Sequence, residues 1–244
     1  MIRFAFLLVF PAILSYSCNN NQPTIEQEAE SKSDSSAVIN DATSKINFQT
    51  SNFVEIDSSG ILLFPLSGGE SKRENGEFYY KEMPNNNYWN ILFHNTKSNT
   101  THLLSEKKIL IQSFHPENGR FANQETNQFN QYIYYEAISH DYNRDKKLSN
   151  SDPVYLFISD KLGGEFRQIS PSNGSVINWK FVHSSKKIIM TVKKDSDKNF
   201  VFDEGDETAA YEYNPGNESG AVEIFSTELK NKLKSLYNRD WKIK

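Results

Sequence analysis

Two stretches of this sequence repeat one arrangement of oxygen-bearing side chains. In the first, Asp141, Asn143 and Asp145 alternate, Leu148 follows at the eighth position and Asp152 at the twelfth. In the second, Asp195, Asp197 and Asn199 alternate, with Phe202 at the eighth position and Asp206 at the twelfth. Alternate loop positions can turn hard oxygens toward one point, which is the chemistry of a divalent cation. The same residues also make Asx turns, in which a side-chain oxygen accepts a backbone N–H and fixes the loop without an ion. On the sequence both readings stay open.

The spacing resembles the calcium loops of the EF-hand and dockerin families. That resemblance implies Asp141, Asn143, Asp145, Asp152 and the Lys147 carbonyl as ligands in the first loop. In the second it implies Asp195, Asp197, Asn199, Asp206 and the Val201 carbonyl, with Asp203 acting through water. The expected cofactor is then a structural Ca2+. The match departs at the sixth position, where the sharp turn wants glycine and the chain has Lys146 and Phe200. The twelfth residue is Asp rather than the longer Glu, and Arg144, Lys146, Lys147 and Lys198 are on hand to neutralise carboxylates without metal.

Little else points to a reactive centre. His94, His102, His115, His140 and His183 make no compact zinc pattern, and no nucleophile elbow, phosphate loop or dinucleotide signature occurs. Cys18 is the only cysteine, which excludes a disulfide and leaves no cysteine nucleophile in the body of the chain. Glu136 and Asp160 are a pair that glycoside hydrolysis could use if the fold brought them together. Tyr79, Tyr80, Tyr88, Trp89, Tyr132, Tyr134, Tyr135, Trp179 and Phe181 lie on or beside strands, as sheet core or as an outward surface for a sugar or peptide.

The elements that must position these residues are strands. Short apolar and aromatic runs alternate with Gly-, Asn- and Pro-rich turns, and three hairpin ends, HLLS, RQIS and EIFS, finish at Ser105, Ser170 and Ser226. The acidic loops recur at matched places in this pattern, so the repeat describes sheet modules. The expected fold class is all-β, with antiparallel four-stranded meander units over 53–105, 107–170 and 174–226. These units resemble β-propeller blades, about three of them, of the group with an Asp-rich loop between strands, as in periplasmic WD40-like repeats. Closed propellers use four or more blades, so the count itself is a departure.

The final segment changes period. Leu229, Leu233, Leu236 and Tyr237 recur at helical spacing after Ser226 and Thr227, which predicts a helix over 227–237. Its leucine stripe is expected to cover a sheet or an open end, and its lysines allow a lipid surface instead.

At the other end, Arg3, an apolar run over 4–14 and small residues before Cys18 resemble a lipoprotein export signal, residues 1–17, with Cys18 acylated after cleavage. Residues 18–50 are polar and read as a flexible tether, leaving 51–244 as the folded body. A formal net charge of -4 gives no support to nucleic-acid binding. The expected protein is lipid-anchored, extracytoplasmic and non-catalytic, with binding or scaffolding as its role and a protein or glycan as its ligand. Its expected place is the cell envelope, attached to the outer membrane and facing the periplasm or the cell surface. The rival readings are a surface-associated hydrolase or polysaccharide-binding accessory protein, and a calcium-dependent adhesion module.

Overall fold

The run 132–138 is apolar or aromatic at nearly every position, the mark of a strand covered on both faces. It forms β8 (Tyr132–Ile138), paired antiparallel with β7 (Leu110–His115) and β9 (Tyr155–Asp160). With β10 (Arg167–Gln168) it completes a four-stranded sheet in the order β10-β9-β8-β7. Successive side chains of a strand face opposite ways. Ile133, Tyr135, Ala137, Tyr155 and Phe157 therefore enter one core, while Tyr134, Leu156 and Ile158 enter another.

The protein is described by a computed structural model over residues 44–50, 53–74, 77–82, 87–116, 131–217 and 219–242. All of them belong to the second of the two units into which the chain divides, Met1–Asn40 and Asp41–Lys244. The expected signal segment, Cys18, the expected tether up to residue 43 and residues 117–130 lie outside the described residues.

The first core is closed by an earlier sheet. Its spine is β3 (Ile61–Glu74), which pairs along one side with β2 (Val54–Ile56) and β1 (Ser44–Thr50), and along the other with β5 (Asn90–Asn95) and β4 (Glu77–Glu82). β6 (Thr100–Leu103) extends it beyond β5. β1 takes up the last seven residues of the stretch read as a tether. Ile56, Leu63, Ile91 and Phe93 face the middle sheet. In the turn after β9, Gly163 has φ 81°, and a Cβ there would lie 2.6 Å from the Phe93 ring, so glycine is required by both conformation and space.

The second core is closed by β11 (Gly174–Val182), β12 (Lys187–Lys194), β13 (Thr208–Tyr213) and β14 (Val222–Glu223), an antiparallel meander. Val176, Ile188, Met190, Val192, Tyr211 and Tyr213 supply its inner face.

The architecture is thus all-β with one helix, and it corrects the resemblance to propeller blades. The sheets are three separate antiparallel arrays, none closed or curled into a ring, and the first has six strands instead of four. Beyond a single bridge between Tyr88 and Ile111, no ladder joins one sheet to the next among the described residues. A repeated hairpin specifies a meander; closure needs enough modules to bring the last edge back to the first, and three do not reach.

The helix α1 (Thr227–Asp240) starts where its cap predicts, the Ser226 hydroxyl accepting the Leu229 N–H at 3.2 Å, and runs three residues past the expected end. The expectation that it covers a sheet is not met, because none of its residues is buried.

Candidate metal centre and the seam beside it

The acidic loops leave equivalent strands: 141–152 connects β8 to β9 and 195–206 connects β12 to β13. Each folds by the same internal bonds. The sixth residue donates its N–H to the first aspartate, Lys146 to Asp141 at 2.8 Å and Phe200 to Asp195 at 3.1 Å. The fifth donates to the third, Asp145 to Asn143 and Asn199 to Asp197. The seventh donates to the fifth, Lys147 to Asp145 and Val201 to Asn199. The twelfth carboxylate closes each loop, Asp152 taking Tyr142 and Ser149, and Asp206 taking Ser196 and Asp203. The missing glycines do not prevent the turn: Lys146 and Phe200 take the left-handed conformation themselves, at φ 68° and 66°, as do Arg144 and Lys198 at 62°.

The loops differ in what their carboxylates do together. Among the described residues, only Asp195, Asp197 and Asp206 bring three ligand atoms within 4.8 Å of one another, a spacing at which they can hold a divalent cation such as Ca2+. Asp141, Asn143, Asp145 and Asp152 hold backbone N–H groups and form no such group. Asp203 stands apart from the cluster, its carboxylate accepting the Gly205 N–H at 2.8 Å. Lys147 and Val201 occupy the seventh positions, the carbonyl places of the expected ligand set. Burial works to raise the Asp195 carboxyl, but the Tyr142 hydroxyl and the N–H groups of Phe200, Asn199 and Lys198 outweigh it and hold the group below the usual aspartate range.

Tyr142 is the residue that sequence reasoning missed. From the first loop its hydroxyl donates to Asp195 of the second at 2.9 Å, and its ring lies 5.7 Å from Phe200 and 5.1 Å from Phe202. Arg144 covers the other partner, its guanidinium 4.2 Å from the Phe200 ring. Burial and then the bond to Asp195 raise the Tyr142 phenol, which keeps it a donor. The first loop is tied backward as well, since Asn150 accepts from Asn87 and Gln112. The two loops therefore form a clasp across the second and third sheets. A cavity of about 480 Å³ lined by Tyr142, Asn173, Lys194, Asp195, Lys198 and Phe200 opens beside it. An aromatic residue at the second position, among the polar residues that begin the loop, was the one available signal.

A larger cavity, about 790 Å³, lies between the edge strand β10 and the turn before β14, lined by Glu165, Arg167, Ile169, Tyr213, Pro215 and Ala221 among others. Burial opposes the charge on Arg167, and hydrogen bonds to the Tyr213 and Tyr132 hydroxyls more than offset it, raising its pKa. The guanidinium also sits 5.8 Å from the Tyr132 ring. Trp179, Tyr134 and Phe181 pack together at this seam, where the Trp179 indole donates to Glu136 at 2.8 Å and Ser113 donates to its other oxygen. Tyr135 is wholly in the first core. Of the aromatic set, Tyr135 thus lies in the core and Tyr134, Trp179 and Phe181 at the seam, while the side chains of Tyr79 and Tyr80 lie outside the described ones. Glu136 and Asp160 do not converge: they pair with Leu156 and Tyr132, well apart along the β8–β9 ladder.

No known protein family and no curated protein matches this chain. With no relative to carry it, and with sheets that do not close, the resemblance to outer-membrane lipoproteins with WD40-like propeller repeats is set aside. No helix among the described residues is long and apolar enough to cross a membrane.

Proposed function

We propose that the protein is a non-catalytic binding or scaffolding protein of the cell envelope, binding a protein or glycan in the seam between its second and third sheets. The observation that carries this reading is Arg167 and Tyr213 in the lining of the larger cavity, with the Arg167 guanidinium 5.8 Å from the Tyr132 ring. Arginine and tyrosine supply planar donors and amphipathic rings at little cost in side-chain freedom, and they dominate binding hot spots. The charged lining residues Glu165 and Arg167 pair with each other at 3.6 Å.

The Asp195, Asp197 and Asp206 cluster favours a calcium-dependent form of the same role, in which the ion stiffens the clasp that sets the spacing of the two sheets. Calorimetric titration with cell-wall glycan fragments, and affinity capture from envelope extracts, should each give binding that the Arg167→Ala, Tyr213→Ala double variant loses. Equal binding by that variant, or turnover of a chromogenic ester or glycoside by the purified chain, contradicts the reading.

A further inference from the structure

The helix α1 is fastened at its beginning. Ser226 caps it, and among the described residues the ion pairs that join it to a sheet are those of Lys230, with Glu223 and, at 3.7 Å, with Glu207. Beyond that turn the helix carries an apolar stripe that stays exposed among the described residues. Leu229, Leu233 and Leu236 fall on one face by their spacing, and they are 39%, 45% and 38% exposed. Tyr237 and Trp241 continue the stripe at the far end, and Trp241 is 73% exposed.

Charge is arranged around that stripe. At 3.6 residues per turn, Lys232 borders it on one side and Lys234 on the other, with Arg239 and Lys230 beside them engaged by Asp240 and by Glu223 and Glu207, while Asn231, Ser235 and Asn238 lie opposite. Asp240, the one acid within the apolar arc, is neutralised by the two hydrogen bonds it takes from Arg239, both 2.8 Å. From residue 228 onward the described chain has five basic side chains against two acidic, although the whole chain has a net charge of -4.

We propose that α1 docks on an anionic phospholipid surface, its leucines and Trp241 entering the headgroup boundary and its flanking lysines reaching the phosphates. A leucine stripe bordered on both sides by long cationic side chains, with an aromatic end and a neutral far face, is the pattern of a helix lying in a membrane interface. Charge complementarity selects the anionic lipid, since the cations border the stripe itself, where a second copy of this acidic protein would bring its own basic helix against them. The proposal does not depend on acylation of Cys18 or on a ligand in the seam.

The test uses the full chain carrying Cys18→Ser, so that no acyl group contributes, with vesicles of phosphatidylglycerol and phosphatidylcholine or of phosphatidylcholine alone. Expected is stronger partition onto the anionic vesicles, weakened by salt, with a blue shift of tryptophan emission that Trp241→Phe removes. Replacing Leu233 and Leu236 together by Gln should lower partition roughly tenfold or more. Lys232→Gln with Lys234→Gln should lower it roughly fivefold per lysine on anionic vesicles only. Unchanged partition in both double variants, or no Trp241-dependent shift, overturns the proposal. So does a dimer in sedimentation equilibrium that the leucine variant dissolves while vesicle binding stays the same.

Discussion

In the loop 141–152 the twelfth residue is buried beneath backbone N–H groups, whereas in 195–206 its counterpart stays half-buried and meets two other carboxylates. The internal bonds and the left-handed residues are the same in both loops. What differs is charge and surroundings. The first loop holds three acidic and three basic residues and is tied to Asn87 and Gln112, while the second holds five acidic against one basic. The comparison separates two things that one motif combines. Alternating Asp and Asn dictate the turn through Asx bonds, and an unbalanced, accessible set of carboxylates decides whether the turn can also take a cation.

The largest expected difference concerns the twelfth residues. Asp152→Ala leaves the N–H groups of Tyr142, Asn143 and Ser149 without their acceptor in a buried place, and should cost about 3 kcal/mol in urea unfolding. Asp206→Ala, at a half-buried place, should cost about 1 kcal/mol; equal losses would erase the distinction. Next comes the ion. Calcium at ten times its Kd should stabilise the metal-stripped protein by about 1.4 kcal/mol in thermal melts. Asp197→Asn should abolish that gain and Asp145→Asn should leave it intact.

A smaller effect joins the loops. Tyr142→Phe removes the hydroxyl bond to Asp195 and should lower stability near neutral pH by less than Asp152→Ala does. Because the folded Asp195 carboxyl is held below its unfolded value, its contribution is fully present above the ordinary aspartate range and is lost as pH falls through the folded value. Acid unfolding curves of wild type and Tyr142→Phe should therefore converge only as pH falls below the ordinary aspartate range and through the folded value. A gap that persists there would assign the residue's role to its ring contacts. Smallest is the left-handed turn: Lys146→Gly should stabilise by up to about 1 kcal/mol by relieving strain. Phe200→Gly should show no such gain, because its ring contacts to Tyr142 and Arg144 go with the strain.

Much of this was legible in the residues themselves. Continuous apolar character in 132–138 announced a strand covered on both faces, and Ser226 with Leu229 announced the start of α1. The Asp and Asn spacing announced both loops, because Asx bonds run between residues a few positions apart. Contacts between distant segments were not legible. Nothing near Tyr142 in the chain indicates Asp195, and Glu136 and Asp160 look equally paired whether a ladder places them together or apart. Closure was partly legible, since a count of three modules already falls short of the four or more a ring uses, and the structure adds that the first module is a six-stranded sheet. The leucine stripe of α1 shows an apolar face in sequence without showing that it stays exposed among the described residues.

The most direct test of the difference between the loops is calorimetric titration of the metal-stripped protein with Ca2+, alongside the Asp197→Asn and Asp145→Asn variants. One site is expected per chain, absent in Asp197→Asn and retained in Asp145→Asn. No heat and an unchanged melt in the wild type, or two equal sites, would contradict it.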